Sequence, residues 1–223
     1  MSSYRETTGY LIHQRKYRDS SLICEFFCKD TGRLNLIAKG ISKNNSLKSQ
    51  LKPFCLLKIQ YFGKSDLKTL SNCNVIVNRH FQNLKNKTTG LYLNELLRYS
   101  LIENDTAQEL FTIYDSALNQ VGVEKLSKLL RRYELAILKQ NGFQLSPESY
   151  KLSDWLSIQE NKGVYVSESE TSESCLASDL IKLHDFENLE KTELIRVNRF
   201  MHKAIDICFS NRTIYSRELL KTL

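Results

Sequence analysis

Between Asp30 and Asp66 the chain carries no acidic residue and seven basic ones: Arg33, Lys39, Lys43, Lys48, Lys52, Lys58 and Lys64. A surface of one sign, with no acid among its cations, attracts a polyanion, and nucleic acid is the commonest polyanion. The chemistry on offer is neutralisation of backbone phosphates with release of their counterions. The charge is also lopsided. Residues 1–80 hold 14 Lys+Arg against 5 Asp+Glu, and residues 81–223 hold 18 against 20. The whole excess of +7 therefore comes from the N-terminal part.

Residue sets that would make or break covalent bonds are missing. There is no G-x-x-x-x-G-K-[ST], G-x-S-x-G, H-E-x-x-H or G-x-G-x-x-G. His13, His80, His184 and His202 are scattered, and His184 and Asp185, adjacent on an expected helix, point to different sides of it. Metal-dependent nucleases gather carboxylates at a few strand ends, whereas the basic segment offers Asp19, Glu25, Asp30 and Asp66. These features favour a binding protein over an enzyme, with no cofactor. None of the six cysteines forms a C-x-x-C pair. Cys24 and Cys28, four apart, would suit a metal on a helix, but LICEFFC reads as a strand that turns both into small core residues. The start of the chain lacks the basic and apolar regions of a signal peptide. No apolar run reaches the roughly 18 residues of a membrane span, so a cytoplasmic protein with no membrane partner is expected.

The elements that must position the cations follow from periodicity. Period-two patterns at 9–17, 21–28, 33–40, 54–62 and 67–77 predict five strands, with Asp30-Thr31-Gly32 as a tight turn and Gly9 as a possible bulge site. On the third strand Leu34, Leu36 and Ala38 share one face, and Arg33, Asn35, Ile37 and Lys39 share the other. A polar loop at 41–53 holds Lys43, Lys48 and Lys52. Five short strands in about 80 residues fit a five-stranded OB-fold barrel. On the fourth strand, exposed rings at Phe54 and Phe62 would stack on bases, and packed ones would join the barrel to helices.

Beyond residue 86 the period becomes 3.6. Helices are expected at 88–102, after a capping box at 106–109, near 123–140, at 176–186 and at 189–209. The stretch 143–175 is irregular, with a short hairpin arm near Gly163 to Val166. The expected class is α+β: an OB-fold at 1–80, then a mainly α-helical domain at 81–223, with the boundary near 80–86. On the helix 123–140, Arg131, Leu135 and Leu138 form a stripe beside Lys128. Such a strip suits a peptide ending in apolar residues and a carboxylate, and equally suits a central helix packed on two sides.

The segments RKYRDSSLICEFF, TGRLNLIAKG, LKSQLKPFCLLKIQYFGKSDLKTL, GLYLNELLRYSLIEND, LFTIYDSALNQV, LLRRYELAILKQNGF and YSRELLKTL, in this order, resemble the RecO family of bacterial recombination mediators. The resemblance covers nearly the whole chain. It implies an N-terminal OB-fold and a helical C-terminal domain, binding of single- and double-stranded DNA, and annealing of complementary strands. It also implies work with RecR to load RecA onto DNA coated by single-stranded-DNA-binding protein (SSB), by a monomer associated with the nucleoid. DNA contacts are expected from Arg33, Lys39, Lys43, Lys48, Lys52 and Lys58. Family members hold the SSB tail on the segment that matches LRRYEL, which makes Arg131, Arg132 and Leu135 the expected tail contacts. Many members carry a four-cysteine zinc module after that helix. Residues 143–174 contain no cysteine and Cys175 stands alone, so no zinc is expected.

Overall fold

The computed structural model describes residues 4–101, 107–143, 145–184 and 189–223. The expected capping box begins at Thr106, and the His184–Asp185 pair ends at Asp185; both residues lie outside the described set. Five strands close into a barrel in the order β1-β2-β3-β5-β4: β1 (Arg5–Tyr17), β2 (Ser21–Cys28), β3 (Gly32–Ala38), β4 (Leu56–Phe62) and β5 (Lys68–Val77). The neighbours are antiparallel except β3 and β5, which run parallel where Leu36 meets Lys68. The β2–β3 turn closes at Gly32, whose φ of +64° is the left-handed conformation that glycine adopts without steric cost.

Alternation builds the core. Cys24, Phe26, Cys28, Leu34, Leu36, Ala38, Leu57, Ile59 and Cys73 turn inward and pack together. The cysteines are core residues, as the strand reading expects, and burial pushes the thiols of Cys24, Cys28 and Cys73 up to about 12. Long β1 serves two neighbours: 5–10 pair with β4 and 9–17 with β2. At Gly9 it is paired on both sides, and a Cβ there would stand 2.5 Å from the Phe27 carbonyl oxygen. Close approach, not a bulge, requires this glycine; the register shift falls between Leu11 and His13.

The polar loop expected at 41–53 contains a helix, α1 (Asn45–Gln50). The Asn44 side chain caps it by accepting from the Leu47 amide at 2.9 Å. Its Leu47, with Leu51 just beyond, enters the barrel core, and this anchors the helix while its polar side faces water.

The chain forms two compact units, Met1–Asn119 with Ser216–Leu223, and Gln120–Tyr215. The expected boundary near 80–86 marks the passage from β5 to α2 (Leu84–Ser100), and the first unit continues through α2 and most of α3 (Gln108–Gln120). Arg79 explains why. Its guanidinium donates to Asp115 at 2.6 Å, to the Tyr10 hydroxyl at 3.0 Å and to Asn119 at 2.9 Å. Tyr10 also donates to Asp115, and the rings of Tyr10, Phe27, Phe111 and Tyr114 pack over one another. The closing helix α7 (Tyr215–Lys221) is held where the Ser216 amide donates to Glu95 at 2.9 Å.

The second unit holds α4 (Leu126–Gln140), α5 (Ala177–Ile181) and α6 (Lys191–Cys208). The stretch expected to be irregular contains a three-stranded sheet, β7-β6-β8: β6 (Trp155–Gln159), β7 (Gly163–Ser167) and β8 (Cys175–Leu176). The expected hairpin arm is β7, and its partner β6 runs through WLSIQ. Leu129, Tyr133 and Ile137 of α4 and Phe200, Met201 and Ile205 of α6 are fully buried, and the two helices pack together. Among the described residues, no helix is long and apolar enough to cross a membrane, and no group of three His, Cys, Asp or Glu residues is placed to hold a metal ion.

Because a Cβ at position 9 meets main chain on β2, Gly9→Ala is expected to lower unfolding free energy by about 1–3 kcal/mol. Urea titration measures this as a lower midpoint at unchanged slope; a midpoint equal to that of the wild type would refute the close-approach explanation.

Candidate nucleic-acid interface

The cations between Asp30 and Asp66 divide by what their neighbours supply. Lys39 follows β3 and Lys43 lies in the turn after it, where the Lys43 amide donates to the Gly40 carbonyl at 3.0 Å. Lys48 sits in the last turn of α1, and Lys52 follows that helix. All four side chains are exposed, and among the described residues none is paired with a carboxylate. Leu47 and Leu51 point into the barrel, which leaves the neighbouring lysines on the water side of the same segment. The structure thus leaves Lys39, Lys43, Lys48 and Lys52 exposed along one continuous segment of chain, from the end of β3 to just past α1.

Arg33 and Lys58 are placed differently. Arg33 donates from Nη2 to Glu25 at 3.1 Å and from Nη1 to the Leu101 carbonyl at 3.4 Å. Glu25 also accepts two bonds of 2.9 Å from Arg98 on α2. Burial works to raise the Glu25 carboxyl, but hydrogen bonding and charge from Arg98, with the charge of Arg33, outweigh it and hold the group below the usual carboxylate range. Burial, with Arg98 as a like charge, lowers nearby His13 and favours its neutral form. Lys58 lies 2.9 Å from Glu6, which also accepts from Gln60. In the strand order β4 is separated from β3 by β5 on one side and from β2 by β1 on the other, so Lys58 does not share a face with Lys39.

Cations outside the sequence window also reach the barrel wall. Across β1, β2 and β3, Lys16, Leu22 and Ala38 stand side by side, which sets Lys16 and the following Arg18 near the rim where Lys39 emerges. Reading only 30–66 misses them; the pairing of β1 with β2 was the signal. Phe54 is buried against Phe81, with ring centroids 5.1 Å apart, and is closed to bases. Phe62 meets Tyr4 edge-on at 5.5 Å.

On α4, Arg131 is 3% exposed and its Nη1 lies 2.7 Å from Glu134 one turn on, with His202 of α6 at 3.3 Å from Nη2. Arg132 is exposed and paired with Glu124 at 2.7 Å. Leu135 is half-buried and Leu138 fully buried. Of the stripe read from sequence, Arg131 and Leu138 are interior and Leu135 reaches solvent; Arg132, next to the stripe, is exposed.

Residues 1–79 match the family model described as "Recombination protein O N terminal", and 82–149 match "Recombination protein O C terminal". The chain is 30% identical over 229 residues to a DNA repair protein RecO from Actinobacillus pleuropneumoniae and 31% identical over 229 residues to one from Glaesserella parasuis; each match covers 96% of this chain and 94% of the relative. A DNA repair protein RecO from Vibrio vulnificus is 30% identical over 219 residues, covering 94% of this chain and 90% of the relative.

A carboxyl held below its unfolded value stabilises the fold fully above that unfolded value, and the stabilisation is lost as pH falls through the folded one. Replacing Glu25 by Gln is expected to cost about 1–3 kcal/mol at neutral pH, less than for a fully buried pair because Arg98 is a third exposed. Urea unfolding of both proteins between neutral and acidic pH should show the gap closing as the medium becomes more acidic than the ordinary glutamic range. Parallel curves would mean that the pair contributes nothing.

Proposed function

This chain belongs to the RecO family, and from that premise we propose that it is a DNA-binding recombination mediator in bacterial DNA repair. It anneals complementary strands and, with RecR, helps load RecA onto single-stranded DNA coated by SSB, working at the nucleoid without catalysing a covalent step. The observation that carries the DNA-binding part is the run of exposed lysines, Lys39, Lys43, Lys48 and Lys52, along the segment from β3 through α1, none of them paired with a carboxylate among the described residues. Each neutralised phosphate releases condensed counterions, and this drives binding to single and double strands alike. Two strands held on one cationic surface repel less and meet at a raised local concentration, after which base pairing completes the annealing. The SSB tail is read onto α4, with Leu135 for its apolar residues and Arg132 for its negative charge. Arg131, tied to Glu134, keeps that turn in place.

Salt titration of oligonucleotide binding should give a log–log slope of about −3 for single strands if four phosphates are neutralised. The double reversal Lys39→Glu/Lys43→Glu should weaken binding at least tenfold at low salt and make the slope shallower by about 1.4. Lys58→Glu, on another face and already beside Glu6, should change affinity less than threefold. Equal effects from both variants would show that the contact face is wrong. For the tail, Arg132→Ala with Leu135→Ala should weaken an SSB tail peptide by about tenfold in calorimetry; undiminished binding would remove α4 from the interface.

A further inference from the structure

The three-stranded sheet of the second unit ends at β7, which has β6 on one side and no strand on the other. Neighbouring bonds fix where its main-chain groups point. The Ala177 amide donates to the Asp154 carbonyl at 3.0 Å, so along this strand the groups of 154 and 156 face β8 and those of 155, 157 and 159 face β7. Their partners Ser167, Tyr165 and Gly163 complete the β6–β7 ladder, and Val164 and Val166 turn their N–H and C=O groups outward. The Tyr150 hydroxyl reaches the Val164 carbonyl from outside the sheet, at 3.2 Å. Among the described residues, no main-chain group outside β6 bonds to Gly163–Ser167.

Edges of this kind pair readily with another chain, and proteins blunt them with proline, a bulge or a charge on the strand. β7, with the sequence GVYVS, has none of these, and its register with β6 is unbroken. No residue of it is buried, whereas Leu156, Ser157 and Ile158 of β6 are, and Val166 is 50% exposed. Acid borders the edge instead. Residues 159–174 hold Glu160, Glu168, Glu170 and Glu173 against Lys162, in a chain whose net charge is +7. Glu173 is paired with Lys203 at 3.3 Å, and the Lys162 ammonium lies over the Tyr165 ring at 4.0 Å. Glu160, before the strand, and Glu168 and Glu170, after it, are exposed and take part in no ion pair among the described residues. Charge decides the occupant. A polynucleotide is repelled, and a second copy of this chain would bring the same three carboxylates with it. An extended segment with cations at its ends is attracted, and its alternate apolar side chains would lie beside Val164 and Val166.

We propose that the open edge of β7 is a docking site for a partner protein, which adds an extended strand bearing Lys or Arg at both ends. The site lies in the second unit and does not depend on the reading of the barrel as a DNA-binding surface.

The test uses the full chain and a fluorescein-labelled peptide whose valine–threonine core is flanked by lysines, compared by fluorescence anisotropy with the same peptide flanked by glutamates. At low salt the wild type is expected to bind the lysine-flanked peptide about tenfold more tightly, three exposed ion pairs each contributing modestly. The triple variant Glu160→Lys/Glu168→Lys/Glu170→Lys should reverse that preference, which a purely structural role for these carboxylates does not predict. Val166→Pro removes an outward N–H and leaves the β6 ladder in place, a change that edge strands tolerate. It should weaken the lysine-flanked peptide about tenfold with the far-ultraviolet circular dichroism unchanged; the charge reversal decides alone if this variant does not fold. A wild type that binds both peptides equally or neither, a triple variant that keeps the original preference, or a folded Val166→Pro with undiminished affinity overturns the proposal. Sedimentation of the free chain covers the other occupant: a dimer that Val166→Pro converts to a monomer gives the edge to a second copy and overturns the basic partner.

Discussion

Glu25 is a carboxylate sunk in the barrel wall, and the fold depends on two guanidiniums reaching it. Arg33 comes from the neighbouring strand and Arg98 from α2, so one acid ties β2, β3 and the first helix after the barrel. Burying that charge is unfavourable unless it is matched, and the match commits Arg33 to structure. The first 80 residues contain five acids, and Glu25 and Glu6 are both engaged, the latter by Lys58. Among the described residues no acid pairs with Lys39, Lys43, Lys48 or Lys52. A barrel with few acids, two of them already engaged, thus leaves these lysines exposed.

The two halves of the α1 segment show how a short stretch supplies both stability and charge. Leu47 and Leu51 are one turn apart and enter the core, while Lys43, Lys48 and Lys52 fall between and beside them. Burying two leucines contributes about 3–6 kcal/mol, enough to hold a six-residue helix that would not form alone. Lys48 is thus carried on an anchored helix, and Lys43 and Lys52 flank it in a segment pinned by the two leucines.

Much of the barrel was legible because its core residues recur at every second position, Leu34, Leu36 and Ala38 on β3 and Cys24, Phe26 and Cys28 on β2, although Phe27 and Ile37 on the opposite faces are buried as well. α1 was not, since two leucines in a run of Lys, Ser and Asn carry too little periodicity to declare a single-turn helix. The short sheet β6–β8 was hidden for a similar reason, being built from five-, five- and two-residue strands amid polar residues. The partner of Arg131 was readable in principle, because Glu134 lies three positions on along a helix, where side chains meet. The Lys58–Glu6 pair was not, because it depends on β1 lying against β4, a contact between residues 52 apart in sequence. Pattern thus exposed which residues face outward and could not say which outward charges already had partners.

The division of labour between the two cationic residue types bears on the proposed annealing. Arg33, Arg79 and Arg98 in this unit each bond to a carboxylate or carbonyl, where the planar guanidinium forks two or three bonds. The exposed run from β3 through α1 is wholly lysine. An ammonium on a flexible stem meets a phosphate as a point charge with no demand on its orientation. Strands held by such contacts keep the freedom to shift along one another, which annealing requires, since complementary sequences must slide into register before they pair. Arginine forks in the same positions would fix each phosphate in a preferred geometry and slow that search. An exposed surface of lysines, in a unit whose Arg33 and Arg98 are held by Glu25, is compatible with the proposed annealing because its cations impose no fixed geometry on a phosphate.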